Sequence, residues 1–233
     1  MTAPAAPDTL HVFSTLATQV AWPELTRLFA DRSGARVTDV FGPTNGLLVK
    51  IRAGETADVA IILQDTAALL TREGVLTGCR DIAKSYVGLA VRAGAPRPDI
   101  SSVEALKRTL LGCRSIAYSR IGASGVYFAG LIERLGIADA VNAKATITPG
   151  GFTGLRVAQG ETELAVQQLS ELKAVDGIDI VGPLPLELQE AAVLTAGVFA
   201  RSNKPLLAQR FVDFLASKEA APAMTASGLS LMA

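Results

Sequence analysis

The chain has 233 residues, with 22 Lys plus Arg against 22 Asp plus Glu, and so carries no formal net charge. That balance excludes a nucleic-acid surface built on bulk positive charge and a polybasic membrane anchor. Hydrophobic residues make up 49% and aromatics only 5%, which excludes general disorder and disfavours base-stacking platforms.

Residues 1–9 show no basic segment and no apolar core of a secretory signal. The chain as numbered is therefore expected to be cytoplasmic, or periplasmic if it is a trimmed mature form. From residue 10 onward, short apolar runs alternate with amphipathic stretches, the pattern of an α/β fold. Residues 10–13 predict a strand and 18–32 a helix stopped at Ser33-Gly34. Residues 36–41 predict a strand and 44–53 a helix closed by Gly54. The continuous apolar run 57–63 predicts a buried parallel strand, and 64–73 a helix ended by Gly74.

Residues 86–91 predict a strand of small apolar residues. Ser101 with Glu104 three positions on fits a capping box before a helix over 106–111. Strands follow at 115–118, 164–167, 178–181 and 191–199, and helices at 124–135 and 153–159. Pro205 suits the first turn of a helix over 206–216. A last helix covers 218–226. The strands 86–91 and 191–199 bracket a middle segment, which predicts two lobes. Residues 1–84 plus 199–233 form the first, and 85–198 form an inserted second. Each lobe is expected to be a mixed sheet flanked by helices, with the ligand cleft between them.

One histidine rules out a zinc centre built on several imidazoles. His11 lies within the first strand and reads as a buried structural residue. Cys79 and Cys113 form no Cys-x-x-Cys and read as two buried small hydrophobes. No run reaches the roughly 20 apolar residues of a membrane-spanning helix. No metal, cofactor, nucleic acid or membrane insertion is expected, and the chain is expected to be monomeric.

Three strand-to-helix turns are rich in small polar residues. They are Ser14-Thr15-Leu16-Ala17-Thr18, Gly42-Pro43-Thr44-Asn45-Gly46 and Gly122-Ala123-Ser124-Gly125. A helix start presents unpaired backbone N–H groups and the positive end of its dipole. Hydroxyls add donors, and glycines let an anion approach. Such turns bind anions with little formal charge. Ser14, Thr15, Thr44, Asn45, Ser124 and Gly125 are therefore candidate ligand-binding residues. Arg120 could fork a carboxylate, and the amides of Gln167 and Gln168 offer both donors and acceptors.

These turns, the run Ala53-Gly54-Glu55-Thr56-Ala57-Asp58-Val59, and Gln167-Gln168-Leu169-Ser170-Glu171-Leu172 with Val181-Gly182-Pro183-Leu184-Pro185 resemble the type II periplasmic solute-binding fold. Within it they resemble the molybdate-binding family over residues 10–226. Asp58 reads as a structural cap. The resemblance implies a small anionic ligand and, if the chain is exported, an ABC permease partner. The family's first-loop serine position holds Ala17 here, its second loop reads Pro43-Thr44-Asn45, and its tyrosine position falls near Gln167–Leu169. Those departures favour a carboxylate-bearing organic molecule over a bare oxyanion. The Gln-Gln-Leu-Ser-Glu subset resembles aconitate isomerase, which implies an alternative activity: proton transfer on an unsaturated tricarboxylate. Glu171 and Lys84 are the candidate bases for it.

Overall fold

The computed structural model describes residues 8–189 and 191–232; the leader read over residues 1–7 lies outside them. In chain order the elements are β1 (Thr9–Thr15), α1 (Trp22–Ser33), β2 (Arg36–Gly42), α2 (Thr44–Arg52), β3 (Val59–Leu63), α3 (Gln64–Arg72) and β4 (Leu76–Ser85). Next come β5 (Val87–Arg92), α4 (Val103–Gly112), β6 (Ile116–Ser119), α5 (Ala123–Arg134), α6 (Ala138–Asn142), β7 (Ala145–Thr148) and α7 (Gly154–Ala158). The chain continues with β8 (Leu164–Gln168), α8 (Leu169–Leu172), β9 (Ile178–Pro183), β10 (Ala192–Phe199), α9 (Pro205–Leu215) and α10 (Ala221–Ala226).

Two compact units result, Met1–Lys84 with Val193–Ala233, and Ser85–Ala192. In the first, the sheet order is β2-β1-β3-β10-β4. β1 pairs in parallel with β2 and β3, and β10 runs antiparallel to β3. Val59–Ile62 are wholly buried because helices cover both faces of this central strand. On one face Phe29 meets Phe211 at a centroid distance of 4.8 Å, with Trp22 and Phe214 beside them. On the other, Phe13, Leu47, Ile62 and Leu70 form a second core.

The second unit repeats the plan. Its sheet order is β7-β6-β8-β5-β9, with β6 parallel to β7 and β8 and β5 antiparallel to β8. In both sheets the first parallel strand, β1 or β6, lies between the next two parallel strands. The helices that follow these strands all begin at one end of the sheet, the carboxyl end. Each unit is a mixed sheet flanked by helices.

Several expectations shift. The return to the first unit comes at Val193 rather than 199, because β10 hydrogen-bonds to β3 and not to the second sheet. The first helix starts at Trp22 with Pro23 in its first turn, and Leu16–Thr18 form a separate 3₁₀ turn. Ser102, not Ser101, caps α4, its Oγ accepting from the Ala105 N–H at 3.2 Å. β4, β7 and α6 carry no apolar period strong enough to announce them. β4 reads Leu-Thr-Gly-Cys-Arg-Asp over its first half, and it lies at the edge of its sheet. His11 is exposed on β1, not buried, and its Nδ1 lies 2.7 Å from the Thr38 hydroxyl. Its neighbours Leu10 and Val12 are buried in the first core, while His11 stands on the opposite face, two residues ahead of Phe13 of the second core. Both thiols are free; Cys113 is buried, while Cys79 is only partly so.

Candidate functional site

Asp58 is a structural fastener. One carboxylate oxygen accepts the His11 N–H at 2.9 Å and the other the Ser202 hydroxyl at 2.5 Å. It thereby joins β1 to the segment after β10.

In the first unit, β1 and β2 end side by side, with Thr15 opposite Gly42. Their ends bring Ser14 and Thr15 next to Thr44 and Asn45. Ser14 is fully buried, and its hydroxyl lies 2.6 Å from that of Thr18, which donates to the Thr15 carbonyl at 3.1 Å. These bonds close the 3₁₀ turn and explain why no α-helix starts there. The Thr44 hydroxyl accepts from the Leu63 N–H at 3.3 Å, which ties the start of α2 to the end of β3. Asn45 is exposed. The first internal bond of α2 runs from the Leu47 N–H to the Pro43 carbonyl at 3.0 Å. The N–H groups of Thr44, Asn45 and Gly46 therefore precede the helical ladder, and Pro43 supplies no side-chain cap. Lys84, at the end of β4, forms a backbone bridge with Ser230.

In the second unit, Ser119 ends β6 and its Oγ accepts from the Gly122 N–H at 3.0 Å. The N–H groups of Gly125 and Val126 both donate to the Gly122 carbonyl. Those of Ala123 and Ser124 come ahead of the ladder, on a helix whose capping residue has no side chain. Ser124 is buried. A Cβ at Gly125 would stand 1.8 Å from the Ser119 carbonyl oxygen, so glycine here lets the helix start press against the end of β6. Arg120 is exposed, and its backbone N–H donates to the Thr148 carbonyl at 2.8 Å.

Gln167 is spent within the unit. Its Oε1 accepts from the Thr153 N–H at 2.7 Å and the Thr153 hydroxyl at 2.9 Å, and its Nε2 donates to the Gly151 carbonyl. Gln168 differs: it is 6% exposed, and its Oε1 has no partner. The hydroxyl of Thr148, at the end of β7, is likewise buried and unpartnered. Thr148 escaped the sequence reading because β7 did; the alternation of Ala-Thr-Ile-Thr over 145–148 was the available signal. Glu171 follows in α8. Burial pushes its carboxyl up to about 7, against hydrogen bonds from the Gln167 side chain and the Gln168 N–H. The carboxyl ends of β6, β7 and β8 thus gather free backbone donors, a hydroxyl, an amide oxygen and a carboxyl that exchanges its proton near neutrality.

Among the described residues, no three His, Cys, Asp or Glu side chains stand close enough together to hold a metal ion. No described helix is long and apolar enough to cross a membrane.

The model of a family described as bacterial extracellular solute-binding proteins matches residues 10–230. An aconitate isomerase from a Pseudomonas species is 40% identical over 183 residues, spanning 77% of this chain and 70% of that protein. The periplasmic molybdate-binding protein of Azotobacter vinelandii shares the fold with a TM-score of 0.80 at 18% identity, covering 96% of this chain and 100% of that one. A sulfate-binding protein from Mycobacterium tuberculosis gives 0.76 at 17% identity, covering 97% and 87%. At such identities the likeness to the two solved structures is one of fold.

Proposed function

The chain belongs to the bacterial extracellular solute-binding protein family, and from that premise we propose that it binds a small organic polycarboxylate at the carboxyl ends of its parallel strands. The observation that carries this reading is Glu171 beside Gln168. A tetrahedral oxyanion such as molybdate or sulfate presents acceptors and is served by donors alone. The set here mixes donors, from buried Thr148 and the start of α5, with acceptors, from buried Gln168 and partly buried Glu171. A ligand with both carboxylate oxygens and an acidic hydrogen suits that mixture. Thermal-shift measurements with molybdate, sulfate, citrate and cis- and trans-aconitate test it. Stabilisation by the organic acids alone is expected; stabilisation by molybdate or sulfate alone would overturn the reading.

Glu171 and the aconitate isomerase relative favour a second step: the bound tricarboxylate is isomerised. Ionised Glu171 takes the allylic proton from the CH₂ carbon of an aconitate-like acid, and the electron pair delocalises over the allyl system. The proton returns to the former vinyl carbon, so the double bond moves one position and its geometry is reset. No atom is gained or lost and nothing is oxidised. A base poised near 7 suits such a transfer at neutral pH. Helix-start donors holding the carboxylates would stabilise the charge that develops on them. Incubating the protein with trans-aconitate and following the vinyl proton resonances decides the matter: appearance of the cis acid supports the step, and its absence at saturating substrate leaves a binding protein.

A further inference from the structure

At the end of the second sheet opposite to the site above, the segments leading into β6 and β8 and the end of β5 enclose a cavity of about 710 Å³. That volume falls within the range of small-molecule sites. Its floor is apolar, made by Val91, Val157 and Leu164, all buried. Three arginines are among its lining residues, Arg92, Arg97 and Arg114, all solvent-exposed at its rim, against one acidic lining residue, Glu163.

That carboxylate is already engaged. Its Oε2 accepts from the Arg114 N–H at 2.7 Å and lies 3.5 Å from Arg114 Nε. Arg97 reaches Asp179 only at 3.9 Å, and Asp179 also accepts the Gly94 N–H. Among the described residues Arg92 makes no ion pair. The cavity therefore keeps an excess of positive charge in a molecule that carries none overall. One more group in the wall wants a partner. Thr162 is 5% exposed, and its hydroxyl bonds to nothing among the described residues. The other lining hydroxyls are satisfied: Thr109 donates to the Asp99 carbonyl, and Ser115 accepts from the Glu163 N–H.

An apolar floor under a rim of forked cations suits one kind of ligand: a small anion with an apolar body and a carboxylate head. Guanidinium groups take a carboxylate bidentately, and the hydrocarbon part of the ligand covers the floor. We propose that this cavity is a second binding site, for a small amphipathic carboxylate, separate from the site at the carboxyl ends of the strands.

Cys113 lines the same cavity and gives a direct readout, with Cys79 in the other unit as internal control. The experiment measures the rate of maleimide alkylation of each thiol, at alkaline pH, in the whole protein with rising benzoate. Benzoate at ten times its Kd is expected to slow alkylation of Cys113 about tenfold and leave Cys79 unchanged. The protection should disappear in Arg92→Gln/Arg114→Gln, whose exposed side chains the fold can lose, and persist in Ser124→Asp. No saturable protection at millimolar benzoate, equal protection in the arginine double variant, or its loss in Ser124→Asp would each overturn the proposal.

Discussion

Glu171 ties stability to pH in a direction opposite to that of most surface carboxylates. Its carboxyl titrates near 7 in the folded chain, against 4.5 ordinarily. Between those values the folded state holds more protons than the unfolded one, so stability falls as pH rises through that window and levels off above about 7. The span corresponds to at most about 3 kcal/mol. Glu171→Gln should flatten that slope and stabilise the protein at pH 8, as urea unfolding across pH would record. If Glu171 is the base, the same variant loses turnover of trans-aconitate while still binding it, and wild-type kcat/KM rises with pH through about 7. Ser124→Asp places a carboxylate among the leading N–H groups of α5 and should abolish ligand-induced stabilisation; unchanged affinity would remove Ser124 from the site.

At the scale of elements, the start of α5 depends on a missing side chain. Gly125→Ala drives a Cβ onto the Ser119 carbonyl, a backbone atom that cannot swing aside. Calorimetry should show a loss of about 1–3 kcal/mol or more. Ser102→Ala removes the one side-chain bond at the start of α4 and should cost about 1 kcal/mol without touching ligand binding. The helices and central strands were legible because their apolar periods are strong and Gly34, Gly74 and Gly136 stop them in the left-handed conformation. Of the four edge strands, β2 and β9 were legible but β4 and β7 were not. β4 opens on the polar stretch Thr-Gly-Cys-Arg-Asp and β7 has only 4 residues, so neither carries a strong apolar period. The first polar turn reads as a helix start by composition, yet Ser14 and Thr18 bond to each other and turn it into 3₁₀ instead.

For the whole molecule, chain connectivity makes the two units unequal. The second, Ser85–Ala192, is continuous and has its own core around Leu89, Ile116, Phe128 and Leu131. Expressed alone, it should fold cooperatively, with a sharp thermal transition by circular dichroism. The first needs β10 and α9 from beyond the insertion, since Phe211 and Phe214 complete the aromatic cluster on Phe29. Residues 1–84 alone should therefore remain unfolded. In the intact protein a ligand at 100 times its Kd should add about 2.7 kcal/mol to stability.

The sequence by itself determined the alternation of strands and helices, the insertion of one unit in another and the polar turns after the strands. Periodicity, helix stops and capping residues are local, and local signals survive in one dimension. Only the tertiary structure decided which polar groups are left for a ligand. Gln167 and Gln168 are adjacent and chemically identical, yet the first is consumed by Thr153 and Gly151 while the second keeps a buried oxygen unpaired. Glu171 becomes a base poised near neutrality through desolvation, which depends on neighbours distant in sequence. β10 joined the first sheet because its pairing partner is β3, more than a hundred residues earlier. Burial and pairing are properties of the packed chain, and no pattern along the sequence encodes them residue by residue.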